Sequence, residues 1–369
     1  MDPQSLVERV QELADVELAT LLCLVAGQHC IIQTEPGGLD SLEQELQLVA
    51  ADIFGLSHAV LHCSESTTLE DFSNGILVAS KTPAEERRAR FGSEAEKARD
   101  STPLRRGSQY RLRQELVDDT QYQDDRRIAN IIIARDLNQA DHQIQIQALE
   151  LLRTNRIFTH TAVFATPKTF LVVFLLSSSG PHLVNHLNDH VFISHYHDPE
   201  DGFPNLEAGS EWAFEEDQMS LTPGVRRSEA PDVSNQGRDP IFGPNNIQAL
   251  TALGDAATVT AEVKQYLQNI VTFLRLHRAV AGGITPRATR HFDLLVKHLA
   301  PLHGLEFVTP SLVALAARKI YPHRIAITTP ENERSMQYGS DLAAVAAMLE
   351  GVTPEQVIDE VLGAVEVPL

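Results

Sequence analysis

Cysteine is scarce in this 369-residue chain: Cys23, Cys30 and Cys63 are the only three, and none share a C-x-x-C spacing. A disulfide scaffold and a zinc finger are thereby excluded as organising devices, and the usage fits a reducing compartment. Basic residues are also short, 30 Lys and Arg against 50 Asp and Glu, leaving a formal charge of −20. A general nucleic-acid surface or an anionic-membrane surface calls for the opposite sign. Long apolar runs are missing too. The longest, around Phe170 to Leu176, is far too short to span a bilayer, and Met1-Asp2-Pro3-Gln4 lacks the basic and apolar stretches of a signal peptide. The expected location is cytoplasmic, with the nucleus as the alternative.

What is present is an ordinary globular composition, 43% hydrophobic and 22% charged, in a chain long enough for two packed units. Short runs rich in Ile, Val, Leu or Phe lie at His29–Gln33, Ala59–His62, Ala129–Ala134, Phe170–Leu176 and Val191–Ser194. Runs this apolar suit strands covered on both faces, as in a parallel sheet. Between the first two, Asp40 and Glu43 have capping-box spacing, and Leu42, Leu46, Val49, Ala50 and Ile53 follow at helical spacing. A second helical stretch is expected over roughly 140–153. Residues 1–197 therefore read as a three-layer α/β unit. A charged insertion is expected at about 80–127, and an acidic, Pro- and Gly-rich linker at 198–246.

Residues 247–369 read as a helical bundle. Val263, Leu267, Ile270, Val271 and Leu274 form one apolar stripe, and Phe292, Leu295, Val296, Leu299 and Leu302 another. Thr285-Pro286, Thr309-Pro310 and Thr353-Pro354 each supply a capping hydroxyl followed by a proline that loses no hydrogen bond at the first helical position.

Three segments carry a resemblance. Ile131-Ile132-Ile133-Ala134-Arg135-Asp136-Leu137-Asn138, with Gln147-Ala148-Leu149-Glu150-Leu151-Leu152 after it, is similar to the Walker B strand and following helix of the magnesium-chelatase ATPase subunit and its MoxR-type relatives. Phe170–Leu176 followed by Ser177-Ser178-Ser179-Gly180 resembles their sensor-1 strand, and the segment ending at His190 falls where an arginine finger stands. Gly283-Ile284-Thr285-Pro286-Arg287-Ala288, Val308-Thr309-Pro310 and Tyr321-Pro322-His323-Arg324-Ile325 resemble the chelatase lid, with Arg287 in the sensor-2 place. The resemblance covers roughly 20–200 and 246–326. It implies an AAA+-like fold of the P-loop NTPase type, a helical lid, and assembly with itself or an active partner through AAA+-like surfaces.

The departures from that pattern decide the function expected. A working phosphate loop needs glycines, a lysine on the terminal phosphates and a hydroxyl on magnesium. The equivalent turn here is Glu35-Pro36-Gly37-Gly38-Leu39-Asp40-Ser41, with no lysine and two acids. Ala134 and Arg135 stand where the magnesium-holding Asp and the water-orienting Glu belong; a slip of two offers Asp136 without a following Glu. His190 cannot make the bidentate fork of an arginine. ATP and Mg²⁺ are expected only if this degenerate site still binds nucleotide. The resemblance thus implies a non-hydrolysing assembly or regulatory subunit, the alternative being an active chelatase-type ATPase for remodelling or metal insertion.

Other residue groups are weaker candidates. His182, His186 and His190 have i, i+4 spacing, and His195 and His197 share one strand face; imidazoles so placed can bind a transition metal, or simply meet solvent as polar residues of the surface and turns. Ser177 to Ser179 lack a G-x-S-x-G elbow, and the cysteines sit in or beside apolar runs as expected of buried inert thiols. Trp212 and Phe214 offer a docking pair within the linker.

Overall fold

The computed structural model describes residues 3–79, 126–159, 162–207 and 240–368. In chain order the first elements are α1 (Pro3–Gln11), α2 (Asp15–Ala26), β1 (Cys30–Thr34), α3 (Leu39–Leu48), β2 (His58–His62), α4 (Leu69–Gly75), β3 (Leu77–Ala79), β4 (Arg126–Ile128) and β5 (Ile131–Arg135). Next come α5 (His142–Thr154), β6 (Arg156–Phe158), β7 (Val163–Ala165), β8 (Leu171–Ser177), α6 (Asn185–His190) and β9 (Ile193–Tyr196). The C-terminal part holds α7 (Pro244–Ala256), α8 (Ala261–Leu276), β10 (Val280–Gly282), α9 (Pro286–Leu302), α10 (Pro310–Ile320), β11 (Ala326–Ile327), α11 (Leu342–Leu349) and α12 (Pro354–Ala364).

The five apolar runs become the five strands of one parallel sheet, in the order β2-β5-β8-β1-β9. Three antiparallel pairs, β3–β4, β6–β7 and β10–β11, lie outside it. The pleat sorts each strand between two cores. Ile32, Ile133, Val173 and Leu175 face α2, α3 and the C-terminal helices, while Ile31, Ile132, Val172 and Phe174 face α4, α5 and α6. Near-continuous apolar strands follow from this, because each face is covered by helices.

Leu42, Leu46, Val49, Ala50 and Ile53 are all buried, but the helix changes character at Val49, where a five-residue π-turn runs to Ile53. Both C-terminal apolar stripes are buried as spaced. The three Thr-Pro starts cap as expected: Thr285, Thr309 and Thr353 accept from the amides of Ala288, Leu312 and Gln356. A fourth cap, Thr260 on Val263, has no proline after it.

The capping box expected from Asp40 and Glu43 is absent. The backbone already turns right-handed at Gly38, so α3 begins before Asp40, with no side-chain cap. The start of the expected linker is packed: Glu45 accepts from the amides of Asn205 and Leu206, both near 3 Å. Phe242 at its other end is fully buried near Phe54. Residues 80–125 and 208–239, including Trp212 and Phe214, lie outside the described residues.

Candidate functional site

In open α/β sheets ligands bind beyond the carboxyl ends of the strands, so the ends of β1, β2, β5 and β8 are the first place to look. After Thr34 the chain makes one 3₁₀ turn, Pro36–Gly38, closed by the Gly38 amide donating to Glu35 O at 2.9 Å. Gly38 sits at φ −91° and Gly37 is not left-handed, so neither uses the freedom a phosphate-cradling nest draws on. A Cβ at Gly38 would meet Thr34 Oγ1 at 3.0 Å and Pro199 Cγ at 3.1 Å, which places Pro199 against the turn. Glu35, Pro36 and Gly37 are exposed, Leu39 is buried and Ser41 half-buried.

Arg135 ends β5 directly opposite His62 of β2 and reaches into the first turns of α3. Its Nη1 donates to Asp40 and, at 3.0 Å, to Glu43 Oε2; its Nε lies 3.5 Å from Asp136 Oδ2. His62 Nε2 meets Glu43 Oε1 at 3.0 Å. Burial pulls the guanidinium's pKa down, and the bonds to Asp40 and Glu43 more than reverse this, so it is raised. The charges expected at a nucleotide site are thus inverted and mutually satisfied: acids at the start of α3, a cation at the end of β5. Ala134 is buried in the core. Asp136 takes a left-handed conformation (φ 55°), and its Oδ1 is buried without a hydrogen bond. At the end of β8, Ser177 and Ser179 pair with each other at 3.1 Å, and the Ser178 amide donates to Thr34 O.

These residues do not fit an ATP–magnesium complex. The turn supplies no lysine, the arginine is held by two carboxylates, and Asp136 is the one carboxylate directly after β5. A phosphate charge ~4 Å from an unneutralised carboxylate is opposed by about 4 kcal/mol at an effective dielectric of 20.

The histidines divide into separate places. His182 precedes α6, so the three-histidine helix face is not formed; His182 and His186 are exposed. His195 and His197 share a partner that spacing could not reveal, Asp15 at the start of α2. Asp15 Oδ2 lies 2.7 Å from His195 Nε2 and 3.0 Å from His197 Nδ1. Burial opposes the Asp15 charge, and the two imidazole bonds overcome that and hold its pKa below the usual carboxylate range. Asp15, His195 and His197 offer ligand atoms close enough to hold a metal ion. The same atoms already form a hydrogen-bonded chain, which Lys319 of α10 extends by meeting His195 Nδ1 at 2.9 Å.

His190 and Arg287 are brought together, but elsewhere. The Arg287 guanidinium contacts the His190 ring, and its Nε lies 3.9 Å from Asp189 Oδ2. Both line a cavity with His29, which immediately precedes β1. Glu35 follows the same strand, so the cavity's wall and the 3₁₀ turn stand at opposite ends of β1, ~20 Å apart at 3.3 Å per residue.

The known proteins to which this chain is similar place the geometry. The AAA lid domain family matches residues 272–351. The chain is 33% identical over 95 residues to "Maintenance of telomere capping protein 2" of Lachancea thermotolerans, covering 24% of this chain and 33% of that protein. The Saccharomyces cerevisiae protein of the same name is 34% identical over 97 residues, covering 25% and 27%. "Uncharacterized protein YeaC" of Bacillus subtilis is 28% identical over 107 residues, covering 29% and 28%. The match spans a third or less of each relative's length. A solved structure from Cytophaga hutchinsonii, assigned as an ATPase, superposes with a TM-score of 0.63 at 13% identity, covering 99% of this chain and 94% of that one. The parallel sheet with flanking helices and the C-terminal lid helices are together an AAA+ ATPase-like fold ending in an AAA lid domain.

Proposed function

We propose that this chain is a non-hydrolysing AAA+-like subunit that acts through assembly, with itself or with an active partner, rather than through ATP turnover. The observation that carries this is the Arg135–Asp40–Glu43 cluster, which fills the place of the nucleotide's charges with internal ion pairs. A further support is Pro199, seated against Gly38 where a phosphate would need open backbone. The magnesium-chelatase likeness bears on the ancestry of this site and not on metal insertion by this chain. No helix among the described residues is long and apolar enough to cross a membrane.

Calorimetry with ATP and magnesium, followed by phosphate release on the same sample, tests the reading. The expected outcome is no heat of binding at the carboxyl edge and no phosphate released at millimolar ATP. Turnover that is lost on replacing Asp136 would make an active chelatase-type ATPase the correct account.

A further inference from the structure

The cavity at the amino edge of the sheet, about 370 Å³, is walled by His29, Arg153, His190, Arg287 and His291. The charges acting on its histidines come from Arg153, Arg287, Arg290 and Arg324, against one carboxylate, Asp189. In a chain of net charge −20, four guanidiniums gathered about one acid are a strong local reversal.

These cations are short of partners. Among the described residues Arg153 and Arg290 make no ion pair or hydrogen bond. Arg287 meets the neutral His190 ring through Nη1, and its one carboxylate neighbour among the described residues, Asp189 Oδ2, is 3.9 Å away; Asp189 Oδ1 accepts from the Thr285 hydroxyl at 2.5 Å. Arg324 is 6% exposed; its Nη2 meets Val191 O and His291, yet its Nε and Nη1 are buried with no hydrogen bond. Arg290 and Arg324 do not line the cavity; Arg153 and Arg287 do, with no carboxylate among the described residues nearer than 3.9 Å to either, and this unneutralised charge at the wall points to an absent anion. The histidines do not add to it. Burial first, then the neighbouring guanidiniums, lower His190 to about 4 and His291 to about 3, so both are neutral near pH 7. His29 Nδ1 accepts from the Val172 amide at 3.1 Å, which leaves its Nε2 as a donor.

We propose that this cavity binds a phosphate-class anion, inorganic or carried as a phosphoryl group on a small molecule, with Arg153 and Arg287 as its direct ligands. A single carboxylate would leave most of the positive charge uncompensated. A phosphoryl dianion or pyrophosphate matches both the charge and the presence of arginine forks on two elements, α5 and α9. The site stands at the opposite edge from the Arg135 cluster and does not depend on the non-hydrolysing reading.

Titration of the full chain with pyrophosphate, inorganic phosphate and magnesium-free ATP, each at low and high salt, tests it. Saturable binding of pyrophosphate that weakens with salt is expected, and Arg153→Ala should weaken it about tenfold or more, the loss of one charge-assisted contact. Arg153 is exposed, so this variant keeps its fold if Arg287→Ala does not. ATP binding more tightly than pyrophosphate, with the same sensitivity to Arg153→Ala, would identify a nucleotide as the source. No saturable binding at millimolar pyrophosphate, or binding that Arg153→Ala leaves unchanged, overturns the proposal. The two readings fail separately: ATP turnover unaffected by Arg153→Ala would sink the non-hydrolysing reading alone.

Discussion

The two edges of the central sheet solve the same electrostatic problem in opposite ways. At the carboxyl edge, Arg135 is held by Asp40 and Glu43, Glu43 also meets His62, and Pro199 packs on the turn. At the amino edge, Arg153 and Arg290 have no partner among the described residues, and two nitrogens of Arg324 are buried unpaired. An AAA+-like fold ordinarily leads one to look for ligand chemistry at the first edge. Here Arg135, Asp40 and Glu43 pair with one another at that edge, although Asp136 Oδ1 is buried there without a hydrogen bond, and the edge with unpaired cations is the other one. Unsatisfied charge, rather than position in the fold, is the better guide to where a ligand is missing.

The comparison predicts opposite consequences for arginine removal, and the carboxyl edge gives the largest. Arg135→Ala would leave Glu43, whose side chain is 11% exposed, with the exposed His62 ring but no guanidinium. Breaking a buried pair from one side typically costs about 3 kcal/mol or more. Asp40, 78% exposed, loses little by comparison. Urea unfolding should therefore show a loss of about 3 kcal/mol for Arg135→Ala, most of it recovered when Glu43→Gln is added. A single variant as stable as the parent would mean that the cluster is not closed in solution.

Acid sharpens the contrast. His29 is lowered to about 4 by burial, with help from His190, and His291 to about 3 by burial and then by the Arg324 and Arg287 charges. With folded values below the ordinary 6.5, the unfolded chain binds protons that the folded chain refuses. Their contribution is full above about pH 6.5 and is lost as pH falls toward 4 and 3. Each contributes a slope of at most ~1.4 kcal/mol per pH unit in that window. Melting temperature should fall from pH 7 to pH 5, and saturating pyrophosphate should flatten the fall, because a bound anion favours the protonated imidazoles. A melting temperature flat over this range would contradict neutral, cation-flanked histidines at this edge.

Much of the fold is legible in the sequence because its signals are local. Five apolar runs give five strands because both faces are covered, and Thr-Pro pairs give helix starts because hydroxyl and ring act within four residues. That the turn at 35–41 holds no lysine and that β5 ends in Ala134 and Arg135 is equally plain in the sequence. The replacement chemistry is less so. Asp40 and Arg135 are 95 residues apart and Asp15 and His195 are 180 apart, so spacing says nothing of either pair. One clue was available: acids where a cation belongs and a cation where acids belong are complementary to each other. The Asp40–Glu43 spacing is no guide to the helix start, since the backbone is already helical at Gly38 and Asp40 lies inside α3. Arg153 and Arg290 carry no motif at all; only the packing of α5, α6 and α9 around the start of β1 makes them neighbours.

The smallest effect discriminates best between the two edges, because its sign is reversed. Arg290 is exposed, makes no ion pair or hydrogen bond among the described residues, and adds to the positive field on Arg287 and His291. In the absence of an anion, its charge works against its neighbours. Glutamine keeps the helical propensity of α9 and most of the side-chain length while removing that charge. Arg290→Gln should therefore leave stability unchanged or raise it by up to ~0.5 kcal/mol, the scale of a like-charge pair on a helix surface. The gain should shrink in high salt, where surface repulsion is screened, and should turn into a loss in saturating pyrophosphate. A variant that is destabilised without any anion would mean that Arg290 has a partner in the folded chain, and that the amino edge is as complete as the carboxyl edge.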